Sequence, residues 1–475
     1  MIRFAASIAA STIVLAVLSA PAAEPLATSG GYVAKKLPLP NDVLPSCMTV
    51  RADGSLVVGS MDGNVLVATD SNGDGLLDRY DRWAGTLPHW PLGLKAEGDD
   101  LLIATRSAFL RLSDRDRDGW AERWLTLSDD WDVTKDHHDW TTGIARWPGG
   151  GWIICPVTDD VRERPLKGRH YLRGKAINVK PDGKVTIVAD GLRYPTGWTT
   201  RGRDGKVFFT DNQGQQKTTC EIDQLVPGGW YGYASQADSP TGSGRPVVPP
   251  AVRIPYPWAR SVNGLEFADT GGKFGPLEGQ LILCEYNNRF ILRASLEEVD
   301  GQTQGACYPF LENLLGPICV AFSPQGELYV GSLREPAWGG EPEQGAVFRV
   351  TDSGQRSFGI QEVKAAHDGF TLTYFTAPAN AAAAIDPNRY LVRRYHHVFQ
   401  GAYHSPPVDE ESLHVASVTL GPDGRTVRLS LKEPLLADRI YEVRTTLPDA
   451  NPSTCHYTMN RIPREERISP RSDLP

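Results

Sequence analysis

The chain lacks most of the short signatures that announce a known chemistry. Its 475 residues contain no CxxC and no CxxCH, so it brings no c-type haem of its own. GxSxG, the Walker A loop, the Rossmann glycine fingerprint and HExxH are also missing, which removes the common routes to serine hydrolysis, nucleotide binding and zinc proteolysis. Positive charge is in deficit: 49 Lys and Arg face 57 Asp and Glu, giving a net charge of -8. A protein that neutralises nucleic-acid phosphates needs the opposite balance, so nucleic acid is excluded as a partner. Long helical periodicity is missing between residues 40 and 350. One apolar run stands out, from about Ala5 to Leu18, after a single arginine and before small residues ending near Ala22 or Ala23. It is short for a membrane span and has the form of a secretory signal peptide over residues 1–23, with an uncleaved anchor as the alternative. The mature chain is therefore expected to be secreted or periplasmic, with no transmembrane segment.

Apolar residues make up 40% of the chain and charged residues 22%, enough for a sizeable core. Forty-seven glycines, 36 prolines and 12 tryptophans point to many turns and aromatic-packed sheets. Seven cysteines are an odd number for an oxidising compartment, so at least one is unpaired or bonds outside the chain. Cys155, Cys284 and Cys319 sit in apolar strand-like runs and read as small buried hydrophobes.

A loose repeat organises the first three quarters of the sequence. It joins a polar lead-in, a short apolar strand, a Gly-containing turn and a second apolar strand. The copies are "SCMTVRADGSLVVGS", "PLGLKAEGDDLLIAT", "TGIARWPGGGWIICP", "PTGWTTRGRDGKVFFTD", "NGLEFADTGGKFGPLEGQLILCE" and "PICVAFSPQGELYVGS". Period-2 strands around tight turns, repeated six times, predict an all-β chain with a six-bladed β-propeller over residues 31–354; a many-stranded β-sandwich is the weaker account. Alternating strands after residue 355 predict a separate C-terminal β-sandwich to residue 463, and residues 464–475 read as a disordered tail.

With the two quoted strands innermost in each blade, the residues before the first and after the second share one end of the channel. That end would collect His89 and Trp90, His137, His138 and Asp139, Arg193, Arg260 and Asn263, together with Asp211, Asn212, Gln213 and Asn287. Arginines suit carboxylate or quinone oxygens, and amides suit sugar hydroxyls. Arg193, Arg260 and Asn263 are the cofactor-binding candidates. His89, Trp90, Asp211, Asn212, Gln213 and Asn287 are the substrate-binding candidates. "KDHHDW" (135–140) has three readings: a general base with Asp136 or Asp139 behind it, a metal-binding pair, or a hydrogen-bonded turn. "DSNGDGLLD" places Asp70, Asn72, Asp74 and Asp78 at positions 1, 3, 5 and 9, and "DRDRDGWAE" places Asp114, Asp116, Asp118 and Glu122 likewise. Oxygens so spaced around a glycine suit calcium, although no glutamate stands at position 12 to complete an EF-hand. Plain Asp/Gly turns are the alternative.

"DHHDWTTGIARWPGG" and "LRYPTGWTTRGRDGKVFFTD" resemble the lead-ins of the soluble glucose/sorbosone dehydrogenase family, six-bladed propellers that use pyrroloquinoline quinone (PQQ). The stretch from "TDNQG" to "GQTQGACYPF" is more similar to a branch of secreted, dehydrogenase-like propellers of planctomycete-type bacteria. The resemblance spans about residues 40 to 350, and the C-terminal region is similar to that branch's final module. It implies a catalytic base at His137, with His138 as alternate and Asp136 beside it, and a cofactor-binding Arg193. It also exposes departures: Asn287 stands where that family has a lysine, Gly316 and Ile318 lie near its two last-blade arginines, and Tyr194 replaces an asparagine. The expected function is an exported oxidoreductase acting on a sugar or related alcohol with a bound quinone and a separate electron acceptor. A non-redox carbohydrate-binding propeller, or a lyase or hydrolase using the same histidine, is the alternative.

Overall fold

The computed structural model describes residues 26–133, 139–157, 171–214, 216–233, 244–334, 344–401 and 403–465. The architecture is nearly all-β; α-helix among these residues amounts to one turn, Ala381–Ala384. Six antiparallel sheets each begin with one of the strands Pro45–Val50, Gly93–Glu97, Thr141–Arg146, Pro195–Thr200, Val262–Phe267 and Pro317–Phe322. Consecutive members of this set touch, and the last touches the first, so the six strands line a closed ring. In every quoted repeat the two apolar runs are the innermost pair of strands of one sheet. The signal-peptide reading lies outside the described residues, as does most of the expected tail. No helix among the described residues is long and apolar enough to cross a membrane.

The ring is tight because its inner strands carry glycine where they meet. A Cβ on Gly197 would lie 2.3 Å from the Asn263 carbonyl oxygen, and one on Gly264 would lie 2.8 Å from that of Ile318. Backbone approach this close admits no side chain. The axis is reduced to a gap of about 60 Å³, crossed by an ion pair between Lys95 and Glu266 at 3.1 Å. Closure is completed by the chain's beginning: Tyr32–Lys36 adds to the sixth sheet beside Gln344–Asp352, in register from Tyr32↔Asp352 to Lys36↔Phe348. The buried Tyr32 ring packs against Phe274 and Phe310, so this strand is fixed by core contacts as well as by its ladder.

The C-terminal strands form two sheets around a core that includes Phe370, Leu429, Tyr441 and Tyr457. One of these sheets continues the fifth sheet of the ring. Gln302–Leu311 pairs with Thr454–Met459 through Gly305↔Thr458, Ala306↔Tyr457 and Cys307↔His456, giving eight strands in a row. The outer edge of the fifth sheet is thus covered by backbone pairing, which removes an exposed edge. Arg293 lies fully buried in the same region, donating to the Ile360 and Gln361 carbonyls and to Gln280 Oε1, its guanidinium 4.1 Å from the Tyr308 ring centre. Burial lowers its pKa to about 10.

All seven cysteines are buried and unpaired. Burial pushes the thiols of Cys47, Cys220 and Cys307 up to about 12, which keeps them protonated and unreactive. A thiol reagent is therefore expected to find essentially no cysteine in the native protein and seven after unfolding; bound disulfide would show as a deficit. The seam itself should be acid-sensitive. His456 is buried with Nδ1 3.0 Å from the Tyr395 hydroxyl, and burial, helped by Arg393, lowers its pKa from 6.5 to about 3. Between these values the unfolded chain binds a proton that the folded chain refuses, so stability is lost as pH falls from 6.5 towards 3. Denaturant unfolding of His456→Asn should show a slope flatter than wild type by up to about 1.4 kcal/mol per pH unit in this range. Identical slopes would contradict the buried, neutral imidazole.

Candidate functional site

At one mouth of the ring, a carboxylate closes the second strand of the fourth sheet and of the fifth. Asp211 ends Val207–Asp211 and accepts the backbone N–H groups of Arg193 at 3.0 Å, Tyr194 at 2.6 Å and Asn212 at 2.9 Å. Glu285 ends Leu281–Glu285 and accepts those of Arg260 at 2.9 Å, Ser261 at 2.7 Å and Asn288. Both carboxylates are fully buried. In the first sheet Ser60 has the same position and accepts from the Leu44 N–H at 3.1 Å. In these three sheets the lead-in to the inner strand is thereby tied to the end of its neighbour, and Arg193 and Arg260 are fixed with theirs.

Such buried anions need compensation. Lys217 supplies it for Asp211 at 3.1 Å and also pairs with Glu221 at 2.7 Å. Burial works against the lysine's charge, but Asp211, Glu221 and Asp223 outweigh it and hold the ammonium well above the ordinary lysine range. At Glu285 burial raises the pKa, and the N–H groups it accepts pull it back.

In front of these carboxylates lies a cavity of about 310 Å³. Six of the nine cofactor- and substrate-binding candidates line it together: Arg193, Arg260, Asn263, Asn212, Gln213 and Asn287. Trp140, Tyr194, Tyr286 and Tyr403 add aromatic surface, and among the described residues no acidic side chain is in the lining. The polarity is therefore layered: guanidinium groups towards the cavity, carboxylates behind. Arg193 is 7% exposed, donates to the Tyr403 hydroxyl at 2.8 Å and reaches the Asn212 carbonyl at 3.5 Å. Planar donors, neutral amides and flat rings around one space suit a planar or ring-shaped ligand bearing carboxylates or hydroxyls.

Three candidates fall elsewhere. Asp211 does not line the cavity, because its oxygens are taken up by backbone N–H groups and Lys217. His89 is exposed outside the lining, at φ 65°, and Trp90 packs against Trp140 with ring centres 6.1 Å apart. Asp136, His137 and His138 lie outside the described residues. Asp139, weighed as an orienting acid for the histidines, is fully buried and paired with Arg173 at 3.4 Å. Arg173 also donates to the Asp132 and Val157 carbonyls. Trp140 was within reach of the sequence, two residues after His138. Tyr403 was not: it comes from the C-terminal region, and nothing local marks it.

The two acidic loops differ. Carboxylate oxygens of Asp114, Asp116 and Glu122 lie within 4.8 Å of one another, a grouping that suits a hard cation, while Asp118 caps the Trp120 N–H at 2.8 Å. In the first loop no such grouping of acids forms. Asp70 accepts from Gly73 and Gly75, Asp74 from Leu76, Asp78 from Ser71, and Asn72 accepts from the Asp74 N–H. Those four residues build an Asx-type turn, without the convergence of three acids that the second loop has. Arg117 pairs with Asp99 in the turn between the inner strands of the second sheet, so the second loop lies at the ring's other end.

Residues 32–303, more than half of the chain, match the family model described as "Domain of unknown function (DUF7133)". The chain belongs to this family. No curated protein matches it. Among solved structures, this DUF7133 member is similar to a putative oxidoreductase (glucose dehydrogenase) from Thermus thermophilus, with 20% identity, a TM-score of 0.53, and coverage of 67% of this chain and 100% of that one. It is also similar to a calcium structure of a Trichoderma reesei carbohydrate-active enzyme of family AA12, at 13% identity and TM-score 0.53, covering 71% and 99%. A third is the holo form of the pyranose dehydrogenase PQQ domain from Coprinopsis cinerea, at 12% identity and TM-score 0.50, covering 68% and 96%. At these identities the likeness establishes the fold alone, a β-propeller in this chain.

Removing the charge at Asp211 should show what the tether contributes. Asp211→Asn leaves Lys217 short of a buried partner and is expected to cost about 3–5 kcal/mol in denaturant unfolding. A loss below about 1 kcal/mol would mean that the lead-in is held by other contacts.

Proposed function

We propose that this protein is an exported oxidoreductase that oxidises a sugar or related alcohol, with PQQ held at one mouth of a six-bladed propeller. The observation that carries this reading is the convergence of Arg193, Arg260, Asn212, Asn263 and Asn287, from separate lead-ins and loops, on one cavity. PQQ is a flat quinone bearing carboxylates, and this donor set fits it. Arg193 and Arg260 would take carboxylates, and the three amides would take ring oxygens. Trp140, Tyr194 and Tyr286 offer flat apolar surface. Asn287, Ile318 and Tyr194 line the cavity where the resembling dehydrogenases carry lysine, arginine and asparagine, so fewer cations serve the ligand here.

When bound, the quinone would supply the two-electron acceptor for an alcohol carbon. The chain's own part is to orient and to move a proton. His137, by resemblance, is the base that takes the hydroxyl proton, with His138 as alternate and Asp136 as its neighbour. With no haem motif in the sequence, electrons leave to a separate acceptor. Calcium fits the acids at 114–122 as a structural ion, remote from the cavity. Residues 1–23 serve as the export signal, and the two C-terminal sheets form a sandwich appended to the propeller, as in the secreted branch that the sequence resembles.

A non-redox carbohydrate-binding protein is favoured by one observation: amides and aromatic rings outnumber cations in the cavity. The test is incubation with PQQ and calcium, then dye reduction over a panel of aldoses. Wild type should bind the quinone and reduce dye, and Arg193→Gln should weaken quinone binding about tenfold or more. No quinone binding and no reduction would defeat the redox reading. Sugar binding that survives in a His137→Ala/His138→Ala variant would favour the binding protein.

A further inference from the structure

We infer that the C-terminal region completes the cavity, with Tyr403 as a positioning residue for Arg193. The inference rests on reading the cavity as a site for a ligand with acidic or strongly polar oxygens. Tyr403 lies between the strands Tyr390–His397 and Pro407–Leu413 of the eight-stranded sheet, outside the 32–303 stretch that defines the family match. Its hydroxyl accepts from Arg193 Nη2 at 2.8 Å, and its ring centre lies 5.3 Å from the guanidinium carbon. The next residue reinforces the contact: the His404 N–H donates to Gln213 Oε1 at 3.0 Å. His397 Nδ1, 2.9 Å from the Ser405 carbonyl oxygen, secures the base of the turn.

Gly214 also lies against Arg193. A Cβ at Gly214 would lie 2.5 Å from the guanidinium, and the backbone there has φ 145°. The guanidinium thus meets a glycine that leaves room for it and a phenol that accepts from it. The choice of phenol has a chemical consequence. A carboxylate at 403 would itself pair with Arg193 and compete with any anionic ligand, whereas a neutral hydroxyl oxygen directs the guanidinium without adding a counter-charge. Tyr403 is 51% exposed and lines the cavity, so the same ring forms part of the wall that a ligand meets. The seam at Cys307↔His456 joins this region to the fifth sheet, which carries Asn263 and whose lead-in carries Arg260.

The test compares wild type with Tyr403→Phe and Tyr403→Ala in two measurements. One is the rate at which phenylglyoxal modifies Arg193, followed by peptide mass spectrometry on protein without added ligand. The other is PQQ affinity from tryptophan fluorescence, Trp140 being in the cavity wall. Thermal melting establishes that each variant is folded, and Tyr403→Phe, which keeps the ring, carries the test if the alanine variant is not. Arg193 labelling should accelerate about tenfold in Tyr403→Ala and less in Tyr403→Phe, and PQQ should bind about tenfold and threefold more weakly, respectively. Unchanged labelling overturns the inference whatever binds, and accelerated labelling with PQQ affinity within twofold of wild type overturns it as well. If wild type binds no PQQ, the quinone reading fails, and the labelling rates alone decide for or against Tyr403.

Discussion

A buried carboxylate that lies outside the cavity lining, Asp211, determines where the cavity's arginine stands. Backbone N–H groups are obligatory donors, and a lead-in that turns from one sheet into the ring's inner strand leaves several without a ladder partner. Asp211 satisfies three of them at once, on Arg193, Tyr194 and Asn212, and Glu285 repeats the device one sheet later. The cost of burying such charges is offset by Lys217 at Asp211 and by backbone N–H groups at Glu285. The positions of the cavity-lining arginines follow from this tethering.

The tether matters because the ring leaves so little freedom elsewhere. Gly197 and Gly264 let inner strands meet backbone to backbone, the axis narrows to a gap, and Lys95 and Glu266 cross it. The cavity of about 310 Å³ in front of the tethers lies where the lead-ins splay apart at the mouth. There the C-terminal region adds its own wall. The family match ends at residue 303, yet the strand Gln302–Leu311 at that limit is the one onto which the later strands pair. The extension is built on the edge of the sheet next to the site, which is how a residue as remote in sequence as Tyr403 reaches Arg193.

The inner strand pairs were legible because their signal is local: alternation of period 2, a Gly-containing turn, and a second alternating run. Six cavity residues were legible for a related reason, since the repeat grammar sends lead-ins and post-strand loops to one end. Asp211 was misplaced because a polar residue at a strand end reads the same whether it faces ligand or accepts backbone N–H groups. The Asp70–Asp78 loop has the same ambiguity, since the oxygens that could hold a cation also close Asx turns. The continuation of the fifth sheet into the C-terminal strands had no sequence signal, because pairing at an open edge is made by backbone and carries no residue code. Nor did anything in "GAYHSPP" announce a contact with Arg193 some two hundred residues earlier.

The central claim is that the mouth bounded by the Asp211 and Glu285 tethers is where this protein holds its ligand. An experimental structure of crystals grown with PQQ and calcium tests it most directly. The account expects quinone density in the cavity between Arg193 and Arg260, beside Asn287 and under Tyr403, with Asp211 still bonded to the Arg193 and Tyr194 N–H groups. Density for the quinone at any other place, or an Arg193 turned away from the cavity with the tether intact, would contradict it.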